Sequence, residues 1–259
     1  MQTIIVLGFI LETMHFLQDI LLEDHLLPGN TSVTKLGNEE CKHEGEGALE
    51  KFLFNLERKD WVLEKDFPEE GITIKSVYDE EIKDYFLYTM ATFDFENDWL
   101  AQDMLEHSLE ATAEWSSVCK EYTVVQRWPA DRCALVHQVL EKRWLGLSLM
   151  RDIVYFRYGH VEGDRRTNVM FSTDWQGLEP TKMVRGTINK GSGLMLHPNP
   201  DNRTTRTLMH WVSSSDMKIP LLPKGILVRL YTMTCRQYIL DLRHYTESRW
   251  RMHLDARRG

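Results

Sequence analysis

The chain has 259 residues, 42% of them hydrophobic, with 31 lysines and arginines against 39 aspartates and glutamates and a formal net charge of −8. That length supports one substantial core without cross-links, and the acidic balance excludes the concentrated positive charge on which nucleic-acid binding depends. Four cysteines, Cys41, Cys119, Cys133 and Cys235, are dispersed with no C-x-x-C pair, so neither a zinc site nor a redox dithiol is expected and a reduced, intracellular setting is the simplest reading.

In chain order, residues 3–10 are almost wholly apolar, but Glu12 follows and no lysine or arginine precedes Lys35. A signal peptide has a basic start and a small-residue cleavage site, and a membrane span needs about 20 apolar residues; neither pattern is present. Residues 11–27 continue as an acidic amphipathic segment, expected as a helix that docks on a partner or on the domain itself or is poorly ordered, with a membrane anchor as the alternative. Residues 28–46, rich in Gly, Asn, Thr and Glu, read as a linker. Asn30 and Asn202 each open an N-x-[ST] triplet, a pattern short enough to arise often by chance.

The domain proper is expected to begin near Gly47, with a helix over 48–56 and strands over 61–65 and 72–77 joined by a turn at 68–71. A longer strand over 83–93 follows, then helical spacing over 99–109 with Leu100, Met104 and Leu105 apolar. Extended character resumes at 114–125, and strands are expected over 151–158 and 168–173.

The last quarter is the most legible. Residues 207–213 alternate, with Met209 and Trp211 on one face and Leu208 and Val212 on the other, and residues 193–197 form a short apolar run before Pro198 and a turn-forming stretch. An antiparallel hairpin follows from this pattern. Pro223 then suits the first position of a helix, and beyond Gly225 neither glycine nor proline interrupts the chain for over 30 residues. In that helix Ile226, Leu230, Met233 and Gln237 form a mainly apolar stripe at spacings of three and four, while Arg229, Arg236 and Arg243 recur on another stripe expected to face water. The helix is either a core element packed on a sheet or a lid over a cavity. The whole order is helix, three strands, helix, about six strands and a long helix, an α+β plan. No metal-ligand spacing or hydrolase motif stands out; His197 and His210 read as hydrogen-bonded or exposed histidines rather than catalytic bases.

The same segments, with Glu114-Trp115-Ser116, Arg151-Asp152-Ile153-Val154 and the block 208–242, resemble the START domain, the lipid-transfer module of steroidogenic acute regulatory protein and its relatives. Leu196-His197-Pro198, Trp211-Val212, Asp216-Met217-Lys218 and Leu222-Pro223-Lys224 are similar to the sterol-carrying branch. The resemblance divides the chain into an appendage and linker over 1–43, a lipid-binding domain over 44–250 and a tail over 251–259. It implies a helix-grip fold, a curved antiparallel sheet and a long C-terminal helix enclosing a tunnel for a single lipid. It also implies a cytoplasmic, non-enzymatic protein without cofactor or metal, touching organelle membranes (mitochondrial or endosomal) transiently; phospholipid carriage, lipid sensing and helix-grip cyclase or hydrolase chemistry are the alternatives.

On that plan the ligand-lining set is Ile153, Tyr155, Arg157 and Gln138 on the strands, Met209 and Trp211 on the hairpin, and Ile226, Leu230 and Met233 on the helix. A gate loop is expected at Leu145, Gly146, Leu147, Leu149 and Met150, which could dip into a bilayer interface. Sterol-carrying relatives pair a buried arginine with an acid. Here the arginine position falls on Arg157 and the acid position on Gln138, a departure, because a buried guanidinium without a carboxylate is costly. Arg151 and Asp152 read as structural, and Met150 stands where the family usually has proline.

Overall fold

A computed structural model describes residues 38–104, 109–144, 147–175, 177–178, 183–219 and 223–258. Helix α1 (Asn38–Glu57) leads into β1 (Val62–Phe67), β2 (Ile72–Asp79) and β3 (Asp84–Phe93). Two short helices, α2 (Asn97–Asp103) and α3 (Thr112–Trp115), precede β4 (Cys119–Trp128), β5 (Cys133–Trp144), β6 (Leu147–Glu162) and β7 (Arg165–Ser172). The short strands β8 (Val184–Arg185) and β9 (Thr187–Ile188) come before the hairpin of β10 (Ser192–Asn199) and β11 (Asn202–Ser213), and β12 (Ser215–Asp216) before helix α4 (Lys224–Arg258).

Strand order in the main curved sheet is β1-β2-β3-β11-β10-β7-β6-β5-β4, with β8 added in parallel to β6. Most neighbours along this path are consecutive in sequence, joined by tight turns such as Pro68–Glu70, after which Gly71 takes the left-handed φ of 56° that reverses the chain. Two pairings on this path join strands that are not consecutive, β10 with β7 and β3 with β11, and the second sets the last hairpin beside the first meander.

Alternation assigns the two faces. Phe86, Val154, Phe156, Val169 and Val212 face α1 and pack around Phe52, Leu49 and Cys41. The opposite face divides lengthwise. Over β2, β3 and β10 it carries Ile74, Leu87, Phe93 and Leu196 against Ile239 and Leu242 of α4, whereas over β5 and β6 the apolar cluster of Val136, Ile153 and Tyr155 meets no such helical partners.

Four expectations are corrected. The linker reading of 28–46 fails over its last nine residues, because α1 begins at Asn38, Cys41 is fully buried, and a Cβ at Gly45 would lie 2.5 Å from Cγ of Tyr158. A run of Gly and Glu hid a helix whose glycine is required by close approach to β6. The extended segment expected from 114 begins at Cys119, behind α3. β5 has no counterpart among the expected strands: Cys133-Ala-Leu-Val is continuously apolar because its side chains are buried on both faces of the sheet, so it lacks the alternation of a half-buried strand. Residues 251–258 are the last turns of α4 rather than a separate tail.

The long helix is rotated from its expected setting. Its buried positions are Val228, Thr232, Cys235, Ile239, Leu242 and Thr246, while Ile226 and Met233 are 41% and 53% exposed. Hydropathy misses this stripe because two of its members are threonines. Each returns its hydroxyl proton to the carbonyl four residues back, Thr232 to Val228 and Thr246 to Leu242, both at 2.8 Å, so each can be buried without an orphaned donor. The arginine stripe also departs from expectation. Arg229 is exposed, but Arg236 donates to Glu70 at 2.7 Å through Nε and lies over the Phe67 ring. Arg243 donates to the carbonyls of Glu70 at 2.5 Å and Thr92 at 2.7 Å, over Phe93.

Candidate ligand cavity

Where α4 leaves the sheet uncovered there is a cavity of about 170 Å³. Its walls come from β4 to β7 and from β10 and β11, with β9 and Met217 at one edge; Thr234 and Tyr238 of α4 form its roof. Most of this lining is apolar, including Leu140, Ile153, Met170, Leu194, Met209 and Trp211. Alternation accounts for the strand contribution: Ile153, Tyr155 and Arg157 are every second residue of β6, as Met209, Trp211 and Ser213 are of β11.

One end is polar. Arg157 is 5% exposed, donating through Nε to Oδ1 of Asn168 at 3.3 Å and through Nη1 to the Tyr122 hydroxyl at 3.1 Å. The Tyr155 hydroxyl donates to Oε1 of Gln138 at 3.2 Å, and Gln138 donates through Nε2 to Sγ of Cys119 at 3.3 Å. Burial raises the Tyr155 and Tyr238 hydroxyls well above the ordinary phenol range, so both stay protonated and available as donors at neutral pH. Burial also raises the Cys119 thiol, which removes it as a nucleophile. No group of three or more His, Cys, Asp or Glu side chains able to hold a metal ion occurs among the described residues.

Arg151 and Asp152 are structural, as expected. Arg151 donates to the carbonyl of Met217 at 2.5 Å and of Lys218 at 3.3 Å, tying β6 to the segment that leads into the roof helix. Asp152 is 1% exposed and accepts two hydrogen bonds from Arg185, at 2.7 and 3.0 Å.

A model of the START domain matches residues 50–237. This chain belongs to the START domain family. Among solved structures, human StAR-related lipid transfer protein 5 superposes with a TM-score of 0.72 at 13% identity, covering 82% of this chain and 99% of its own. Human STARD10 gives 0.62 at 15%, covering 88% of each chain, and the lipid transfer and protein localization domain of human StarD13 gives 0.59 at 12%, covering 82% and 98%. At these identities the likeness is one of fold, the helix-grip arrangement of a curved antiparallel sheet and C-terminal helix. No curated protein matches the chain by sequence. Lipid binding and transfer is the activity associated with START domains, and two of these neighbours are lipid-transfer proteins or domains by name. No described helix is long and apolar enough to cross a membrane.

Of the sequence candidates, Arg157, Gln138, Tyr155, Ile153, Met209 and Trp211 come together in this START cavity. Ile226, Leu230 and Met233 do not: the rotation of α4 carries them off the lining, and Thr234 and Tyr238 stand there instead. Leu147, Leu149 and Met150, expected in a loop, belong by backbone to strand β6, paired with 144, 142 and 141 of β5 respectively; Leu145 and Gly146 lie outside the described residues, as do the side chains of Leu147 and Leu149. Sequence reasoning missed Tyr122, Asn168 and Met170. Asn168 and Met170 were legible by alternation from the expected strand at 168–173, whereas Tyr122 required knowing that β4 packs beside β5.

Proposed function

We propose that this START domain takes one lipid into the cavity under α4, sterol being the favoured cargo, and carries it between membranes without chemical change. The observation that carries the proposal is a cavity with mainly apolar walls, a polar end around Arg157 and a roof made by one helix. Sterol is favoured by the resemblance of the 196–198, 211–212 and 216–218 segments to the sterol-carrying branch. Burying several hundred Å² of lipid surface at about 25 cal/mol/Å² supplies on the order of 10 kcal/mol before association costs, so few polar contacts are required.

The cavity is smaller than the roughly 300–1,000 Å³ usual for ligand sites, so uptake requires the roof to move. Support for such movement lies in how unevenly α4 is held. Its C-terminal half is anchored by Trp250 against Trp99, with ring centroids 4.7 Å apart, and by Arg249 bonded to Asp103 at 2.5 Å. The half that begins at Lys224 exposes Ile226 and Met233 and reaches the sheet chiefly through Val228, Thr232 and Cys235. In this reading that half swings outward at a bilayer surface while the lipid crosses, and the protein works in the cytoplasm.

The test is transfer of labelled cholesterol, and of labelled phosphatidylcholine as comparison, between donor and acceptor vesicles by the purified protein. Protein-dependent transfer with the lipid recovered unchanged is expected, cholesterol moving faster. A product peak would establish an enzyme instead, and transfer no faster than in protein-free controls would end the carrier reading.

A further inference from the structure

From the balance of charge and hydrogen bonds at the polar end we infer that the cavity selects a lipid whose buried end is an anion, a carboxylate above all, over a neutral alcohol. This rests on the carrier reading, keeps a sterol ring as one candidate body for the cargo and puts an acid in place of the hydroxyl at its buried end.

Arg157 is the sole charged residue among the described residues lining the cavity. Its guanidinium is buried, and no described carboxylate lies within ion-pair distance of it; its two hydrogen bonds go to neutral acceptors, the Asn168 amide oxygen and the Tyr122 hydroxyl. Nη2 makes no hydrogen bond among the described residues. A buried cation left in this state is expensive, and Arg cannot relieve the cost by losing its proton. A partner must come from elsewhere, and the cavity is the open side.

The neighbouring groups point the same way. Oδ1 of Asn168 already accepts from Arg157, and Oε1 of Gln138 already accepts from Tyr155. Tyr122 accepts from Arg157 and is hydrogen-bonded to Tyr155. The end of the cavity therefore offers an excess of donors and one uncompensated positive charge. An alcohol would satisfy one donor and none of the charge; a carboxylate accepts from several donors at once and can take a guanidinium in a paired geometry. Gln138 is decisive here, since its amide stands among these donors where a carboxylate would neutralise the site.

The shared chemistry is a carboxylate on an apolar body, either a straight chain or fused rings, and the test tells these two apart. The test uses the full-length protein and displacement of a fluorescent acyl probe by four ligands: oleate, oleyl alcohol, a sterol-ring carboxylic acid and cholesterol. Each acid is expected to bind at least ~10-fold more tightly than the alcohol of the same body, the usual weight of one charge-assisted contact, and whichever acid binds more tightly identifies the body. Arg157→Gln should abolish the preference for acids, Arg157→Lys should keep most of it, and Gln138→Glu should reverse it toward the alcohols. Thermal melts of each variant show that the fold survives, and the Lys variant separates loss of charge from loss of structure. Equal binding of acid and alcohol by the wild-type protein, or an acid preference unchanged in both Arg157→Gln and Gln138→Glu, would overturn the inference. Failure of all four ligands to displace the probe would instead strike the carrier reading beneath it.

Discussion

Gly45 and His210 carry tests that their sequence context does not suggest. Gly45 sits within α1, where alanine would ordinarily stabilise by about 1 kcal/mol, yet its added Cβ would fall 2.5 Å from Cγ and 2.7 Å from Cβ of Tyr158. Those atoms lie close to the β6 backbone and have little room to move, so overpacking wins. Gly45→Ala is expected to lower stability by about 1–2 kcal/mol, measured by urea unfolding; a gain would contradict the packing of α1 on β6.

His210 stands in a chain across three strands. Its Nδ1 is 2.5 Å from the Tyr88 hydroxyl and its Nε2 is 2.9 Å from Nε2 of His197. Burial, then the neighbouring His197 and Arg165, press its pKa from 6.5 down to about 4. A base with a depressed folded pKa holds fewer protons in the native than in the unfolded chain between those limits, so stability falls as pH drops from about 6.5 toward 4 and is unaffected above. The loss amounts to about 3 kcal/mol, in a window mostly above that of the carboxylates. Urea midpoints at pH 7, 5 and 4 should show it, and His210→Gln should remove the pH 7 to 5 part; a wild-type midpoint unchanged between pH 7 and 5 would contradict the burial of this imidazole.

At the scale of elements, α4 was legible as a long helix but not in its rotation. Its length follows from the absence of glycine and proline, while its setting depends on Thr232, Cys235 and Thr246, small residues that hydropathy does not count as a core stripe. Two sets of substitutions check the setting. Ile226→Ser and Met233→Ser should change stability by less than about 0.5 kcal/mol and leave lipid binding unaltered, because both side chains are exposed. Arg243→Ala, which strands the carbonyls of Glu70 and Thr92, should cost about 2–3 kcal/mol. Loss of lipid binding in the Ile226 or Met233 variant would restore the stripe first read from the sequence. The strands follow the same rule: β11 shows alternation and is legible, whereas β5, apolar on both faces over Cys133-Ala-Leu-Val, carries no period and is not.

For the whole molecule, the α+β plan and the residues of β6 and β11 that meet in the cavity could be read from order and alternation. What could not be read is the division of one sheet face between a helix-covered core and an open cavity, since that depends on where α4 diverges from the sheet. The polar end is a product of that division, because Tyr122, Asn168 and Arg157 come from three strands and converge only in the folded chain.

Native mass spectrometry of the protein, purified from lipid-containing cells and measured beside a Met170→Trp variant, tests the central claim most directly. Met170 lines the cavity, and tryptophan there would occupy the space meant for cargo. The wild-type chain should carry one lipid per molecule and the variant, equally folded by its thermal melt, none. Wild-type chains that stay bare even after incubation with vesicles, or a variant that carries lipid as readily, would contradict a cavity built to hold one lipid beneath a movable helix.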